Sequence, residues 1–365
     1  MAQPNSLNPE PVTWWIVSLV IAAIVFITPI PPWIIEDFYS RDMYPWLQGI
    51  VTSVTNPLPL AVLDLILIVV AFAVLYRIVR LFRVLRQRGI MDALWEATRR
   101  LIRAACVVAV LFYWAWGFNY RRMPLETIIP GGHAPQVTSD MLMSGFADSS
   151  ALAAQLRRMT ADDQGNLHTI RLELREPMNL ALKSLGRVPL ETPSQPKSSL
   201  VLTPFFRWSG VTGMINPFGL ESILFPDLLP FERPFVLAHE WGHLSGHADE
   251  AEASAVGWLA CMKGGPVLAY SASLYLVMET ARAMPPDLRE KAMARLDQGV
   301  RADIDAIANR MLAQKPAVQR TTTRVYDEYL KANRVQDGTA SYGRALTLIL
   351  SPPFRDALST YTMSR

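Results

Sequence analysis

Pro234-Phe235-Val236-Leu237-Ala238-His239-Glu240-Trp241-Gly242-His243-Leu244-Ser245-Gly246 carries the reading on which the fold depends. Two histidines four residues apart on a helix project from one face, one turn apart, so both imidazoles can reach a single cation. Glu240 lies beside the coordination position that the histidines leave open, where it can take the proton from a water activated by the metal. His-Glu-x-x-His on a helix is the pattern of zinc peptidases. Only five histidines occur in 365 residues, so a chance pair at this spacing around a glutamate is rare. The apolar approach through Phe235, Val236 and Leu237 predicts a buried helix, where polar side chains need partners.

A third ligand has to follow. His247, Asp249, Glu250 and Glu252 stand close behind. The spacing from His239 to Asp249 formally fits a layout with Asp as third ligand, which would also require a turn at Met262 or Met278. In the competing layout Gly246 breaks the first helix, and a second helix from Asp249 to Cys261 returns with an acidic ligand. We expect Glu252 in that role, with Glu250 and Asp249 as alternatives, and His247 facing solvent or substrate.

Outward from this segment, the composition is 51% hydrophobic and 18% charged, too apolar for an ordinary soluble chain, which directs attention to membrane segments. Apolar runs at about 13–30, 58–76 and 101–118 are each close to the roughly 20 residues that span a bilayer. Arg77, Arg80, Arg83, Arg86, Arg88, Arg99 and Arg100 lie between the second and third runs, and Arg103 at the start of the third. The positive-inside rule places that loop in the cytoplasm and everything after the third run outside. Residues 1–120 thus read as a membrane domain and 121–365 as an extracytoplasmic domain. The net charge of +3 gives no reason to expect nucleic acid. Cys106 and Cys261 are expected as free thiols. Asp64, inside the second run, is either functional or hydrogen-bonded to a neighbouring helix.

In the second domain helical periodicity predicts helices at Ser149–Met159, Leu174–Leu185, Phe235–Leu244, Glu250–Met262, Pro266–Met284, Pro286–Leu312, Ala317–Asn333 and Ser341–Leu350. Residues 195–230, rich in Pro, Gly and Ser, read as loop with one or two strands.

Five segments, in order along nearly the whole chain, resemble the DUF3810 family of bacterial membrane proteins with a gluzincin-like metallopeptidase domain. They are Phe38-Tyr39-Ser40-Arg41, Trp116-Gly117-Phe118-Asn119-Tyr120-Arg121, Gly213-Met214-Ile215-Asn216-Pro217-Phe218-Gly219-Leu220-Glu221, the stretch from His239 through Glu252 to Trp258-Leu259-Ala260-Cys261, and Ala340-Ser341-Tyr342-Gly343-Arg344. The resemblance implies three membrane helices, an external zinc domain of mainly α, gluzincin-like α+β fold, one Zn2+ with Glu252 as third ligand, and residence in the bacterial inner membrane.

The expected activity is hydrolysis of peptide bonds in a peptide or protein substrate, with Glu240 as base. Tyr342, or Arg344 beside it, is the candidate donor to the developing oxyanion. A substrate strand can pair with an edge strand near 214–225, making Asn216, Pro217 and Phe218 candidate contacts. The competing readings are a zinc-stabilised envelope binding module without catalysis, a zinc amidase acting on a cell-wall crosslink, and a protease with its zinc helix inside the bilayer.

Overall fold

The computed structural model describes residues 13–129, 137–160, 165–335, 342–351 and 354–357. They form α1 (Thr13–Ile27), α2 (Pro32–Ile34), a π-helical stretch (Ile35–Met43), α3 (Tyr44–Thr55), α4 (Val62–Arg88) and α5 (Ile90–Ala115). The remainder holds α6 (Ser139–Thr160), α7 (Leu167–Ser184), α8 (Thr203–Ser209), β1 (Gly213–Asn216), β2 (Glu221–Leu224), α9 (Arg233–Leu244) and α10 (Glu250–Met262). It closes with α11 (Pro266–Ala283), α12 (Pro286–Met293), α13 (Gln298–Met311), α14 (Pro316–Ala332) and α15 (Tyr342–Ile349). The architecture is mainly α with one antiparallel pair of short strands.

The expected set of three membrane helices is corrected to one or two. Among the described residues, Val62–Arg88 alone is long and apolar enough to cross a bilayer; Trp14–Ile27 and Pro32–Thr55 qualify only as a pair, and that pair is bent by 104°. The prolines at 29, 31 and 32 end α1 after 15 residues, about 22 Å against the roughly 30 Å of a hydrocarbon core. In α5 the arginines at 99, 100 and 103 stand within the helix, leaving roughly three turns, Ala104 to Ala115, free of charge. α1 packs along α5, and α4 packs on α5 as well. All three expose large apolar side chains, among them Ile24, Phe72 and Leu111.

Residues 32–55, between the first two apolar runs, form helices. Tyr44, Leu47, Gln48, Thr52 and Thr55 line the buried face of α3, while Trp46, Ile50 and Val54 are exposed on the other. The predicted helix 286–312 is two helices. Asp297 accepts from the amides of Gly299 and Val300 and so caps the start of α13. Around the two histidines the core centres on α10, which packs against α9, α7, α15 and α11; Trp241 and Trp258 are fully buried there.

Asp64 is a tether: it accepts from Ser199 Oγ and, at 2.7 Å, from the Leu200 amide. The start of α4 is thereby tied to the loop before α8. Both cysteines are free and buried.

Candidate metal centre

Pro234 in the first turn starts α9, and Gly246, at φ +88°, reverses the chain after it. Only a residue without a Cβ takes that conformation cheaply. Asp249 then caps α10, accepting from the Ala251 and Glu252 amides at 3.0 and 3.2 Å. α10 runs back along α9 in very close contact. A Cβ on Gly257 would stand 2.8 Å from the His239 amide nitrogen, and one on Gly242 would stand 2.8 Å from the Ala253 carbonyl oxygen. Glu250, Ser254 and Gly257 recur at i, i+4 and i+7 and so share the face of α10 turned to α9.

That approach assembles the centre. His239 Nε2 lies 3.3 Å and His243 Nε2 3.4 Å from Glu250 Oε2. The three ligand atoms lie within 4.8 Å of one another, so this group can hold a metal ion. His243 Nδ1 is 2.7 Å from the His247 carbonyl oxygen. A carbonyl only accepts, so Nδ1 carries the hydrogen and the Nε2 lone pair of the neutral ring points at the shared centre. His239 Nδ1 is 3.1 Å from Ser254 Oγ, and Tyr326 donates its hydroxyl to the other oxygen of Glu250. The His239 side chain is 16% exposed, against 8% and 4% for His243 and Glu250, so the centre opens on the His239 side. Phe235, stacked on Tyr275 at 3.9 Å, walls that side.

The charges are compatible with a cation. Burial would raise the Glu250 carboxyl, but the two imidazoles facing it hold it well below the usual range. Burial would likewise lower His243, yet Glu250 opposite keeps it up at about 9. Without a metal, a proton has to sit between these groups; a divalent ion in its place satisfies the same carboxylate. Glu240 is buried, its carboxyl pushed up to about 8 mainly by that burial. Its Oε2 has no hydrogen-bond partner, an orphan that a water in the open position would satisfy. Gly213, at the start of β1, lies against it: a Cβ there would meet Glu240 Oε1 at 2.5 Å and displace the carboxylate.

Of the expected site residues, His239, Glu240 and His243 come together. Glu252 does not join them; the third carboxylate is that of Glu250. Two positions further along α10, Glu252 points away from His239 and His243 and accepts the Leu125 amide at 2.6 Å. Asp249 is spent as helix cap and on Arg344, at 2.5 Å. Arg344 therefore braces the start of α10. Asn216 uses its side chain within the β-turn, donating to Glu221 at 3.0 Å and accepting from Phe218 at 3.1 Å; Pro217 lies in that same turn, at the opposite end of β1 from Glu240. The side chain of Tyr342 lies outside the described residues. His247 is fully buried, a correction to its expected exposure. Ser254, Tyr326, Gly242 and Gly257 were missed in the sequence, although small residues at 253, 254 and 257 mark one face of α10.

Gly257→Ala is expected to force the two helices apart. Overpacking against backbone costs about 1–3 kcal/mol, more than the roughly 1 kcal/mol that alanine gains in helix propensity. Glu250 and Ser254 then retreat from the imidazoles. Thermal unfolding and a zinc titration of the variant should show both lower stability and weaker metal binding; unchanged values would contradict the close contact.

Residues 39–350 match a family described as protein of unknown function (DUF3810). No curated protein and no solved structure matches the chain.

Proposed function

The chain belongs to the DUF3810 family, whose function is unknown, and we propose that it is a membrane-anchored zinc peptidase. One observation carries the reading: two imidazole Nε2 atoms face a single glutamate oxygen while a second, unpartnered glutamate is buried beside them. His239, His243 and Glu250 would hold the metal. Two imidazoles and a carboxylate with one side open suit a catalytic zinc site. The ion supplies Lewis acidity toward a water and toward the scissile carbonyl. A cation beside it would favour the ionised form of Glu240 against the burial that raises it, and the carboxylate would then take a proton from that water and return it to the leaving amine. A purely structural site needs no such base.

β1 provides the place for a peptide. Phe225 donates to the Thr212 carbonyl, while Ser222 and Leu224 turn their polar groups to Lys197 on the far side of β2. The alternation of an antiparallel pair therefore turns the amides and carbonyls of Gly213 and Ile215 away from β2. A substrate strand added at that edge would run past Glu240. Phe235 and Tyr275 would favour an apolar side chain next to the cut bond.

α4 anchors the chain in the bacterial inner membrane, with α1 and α5 packed beside it. The arginine-rich α4–α5 turn faces the cytoplasm and the metal domain lies outside.

The test is the full-length protein and Glu240→Gln, assayed for bound zinc and for cleavage of a mixed peptide library. The expected result is zinc in both and cleavage by the wild type alone. Zinc in both without cleavage by either would make the site structural, and no zinc in either would end the proposal.

A further inference from the structure

The metal centre is bolted to the ends of the apolar helices. Trp116, the residue directly after α5, donates through Nε1 to the carbonyl of His243 at 3.3 Å, and the two rings lie 6.3 Å apart. Tyr113, in the last turn of α5, donates to Asn333 at 3.0 Å; Asn333 ends α14, the helix that brings Tyr326 to Glu250. Arg121 donates to the carbonyls of Val25 and Phe26, closing the last turn of α1, both at 3.0 Å. At the head of α4, Glu221 accepts from the Val62 amide at 3.0 Å and pairs with Lys197 at 2.7 Å, and Asp64 holds the loop at 199–200. No free linker separates the site from any of the three helices.

α3 adds a second constraint on height. The segment containing it is bent by 104° from α1, so it lies across the direction of that helix. Its buried face is hydrogen-bonded to the site domain: Tyr44 to the Leu244 carbonyl at 2.7 Å, Gln48 to Thr192 at 2.8 Å, and Thr55 to Gly219 at 3.1 Å. The opposite face exposes Trp46, Ile50 and Val54, with Trp33 and Phe38 exposed before it. α1 at Ile24 and Ile27 and α4 from Leu65 expose apolar side chains as well. A helix lying flat, apolar below and polar above, fits the boundary between headgroups and acyl chains.

We propose that this centre acts on polypeptides held to the membrane, cutting segments that lie close to its outer surface, and not on freely diffusing peptides. The inference rests on the peptidase reading above. His239, on the open side, is four residues of α9 from His243, a rise of about 6 Å. Its reach therefore begins and ends near the level of Trp116, because the domain cannot rise on its helices and α3 seats it against the leaflet. A substrate segment carried well above the surface passes over the cleft.

The full-length, zinc-loaded protein in lipid nanodiscs would be given one degenerate peptide library in four forms. Three carry a lipid anchor through spacers of zero, five or ten prolines, and one has no anchor. A polyproline II spacer adds about 3.1 Å per residue, so ten prolines lift the library by roughly 31 Å. Mass spectrometry reads the rate and position of cutting. The unspaced library is expected to be cut at least about tenfold faster than the ten-proline and free libraries, because only there does the effective concentration at the cleft stay high. Equal rates at all spacer lengths, or fastest cutting of the free library, would overturn the substrate class and leave the peptidase reading standing. No cutting of any library would overturn both.

Discussion

Alanine at Glu250 is expected to empty the metal site, while glutamine at Glu252 leaves it filled. Glu250 is the one carboxylate within 3.4 Å of both Nε2 atoms, and nothing else among the described residues can take its place there. Glu252 lies on another face of α10, where its Oε1 accepts the Leu125 amide at 2.6 Å, a bond that the glutamine oxygen preserves. Loss of a ligand's hydrogen-bond partner costs roughly 10–100-fold in metal affinity, so loss of the ligand itself should exceed that range. Competition with a chromogenic chelator would measure both variants. Retained affinity in Glu250→Ala together with loss in Glu252→Gln would reverse the assignment.

Removing Arg122 should have the largest effect on stability. Glu36 lies between two guanidiniums: Arg122 binds it in bidentate fashion, both contacts at 3.0 Å, and Arg187 donates to the same carboxylate. All three side chains are buried. Arg122 also donates to the Gly246 carbonyl at 2.9 Å, holding the loop whose next carbonyl, that of His247, orients His243. Breaking one partner from a buried ionic group costs about 3–5 kcal/mol, because the remaining charge stays buried. Arg122→Ala should therefore lower the unfolding midpoint sharply and weaken zinc binding about 10–100-fold through the freed loop. Lysine should rescue little, since it cannot reproduce the planar fork.

The same cluster sets an acid limit. Burial would raise the Glu36 carboxyl, but the hydrogen bonds and charges of Arg122 and Arg187 outweigh it and hold it below the ordinary 4.5. A carboxyl lowered on folding contributes stability that is complete above its unfolded value and is lost as pH falls through its folded value. Stability should thus fall below pH 4.5 and be insensitive to this group at neutral pH. In Glu36→Gln the acid-side slope should flatten, which unfolding midpoints across pH 3 to 7 would reveal.

The local elements of the site were legible because they rest on short-range rules. Pro234 and Gly246 bound α9, the four-residue spacing puts both histidines on one side, and the predicted span 250–262 matches α10 as observed. The third ligand was not legible. Asp249 with Glu252 three residues later reads as a helix start with an acidic third position, which draws the eye to Glu252. Which face of α10 meets α9 depends on how closely the backbones approach, and that was decided by Gly242 and Gly257 acting together across two helices. The membrane segments failed for a related reason. Hydropathy sums over a window, whereas proline breaks and the true start of α5 decide how much apolar length one helix carries.

The sequence by itself determined the helix that carries His239, Glu240 and His243, the helical class and the apolar character of the first third, since each follows from periodicity and spacing within a few turns. Only the tertiary structure decided that Glu250 joins His239 and His243, that Ser254, His247 and Tyr326 hydrogen-bond to that group, and that residues 32–55 form helices tied to the elements around it. Those outcomes depend on contacts between segments up to about two hundred residues apart, such as Tyr44 with Leu244. Packing, not local propensity, selects among the faces that each helix offers.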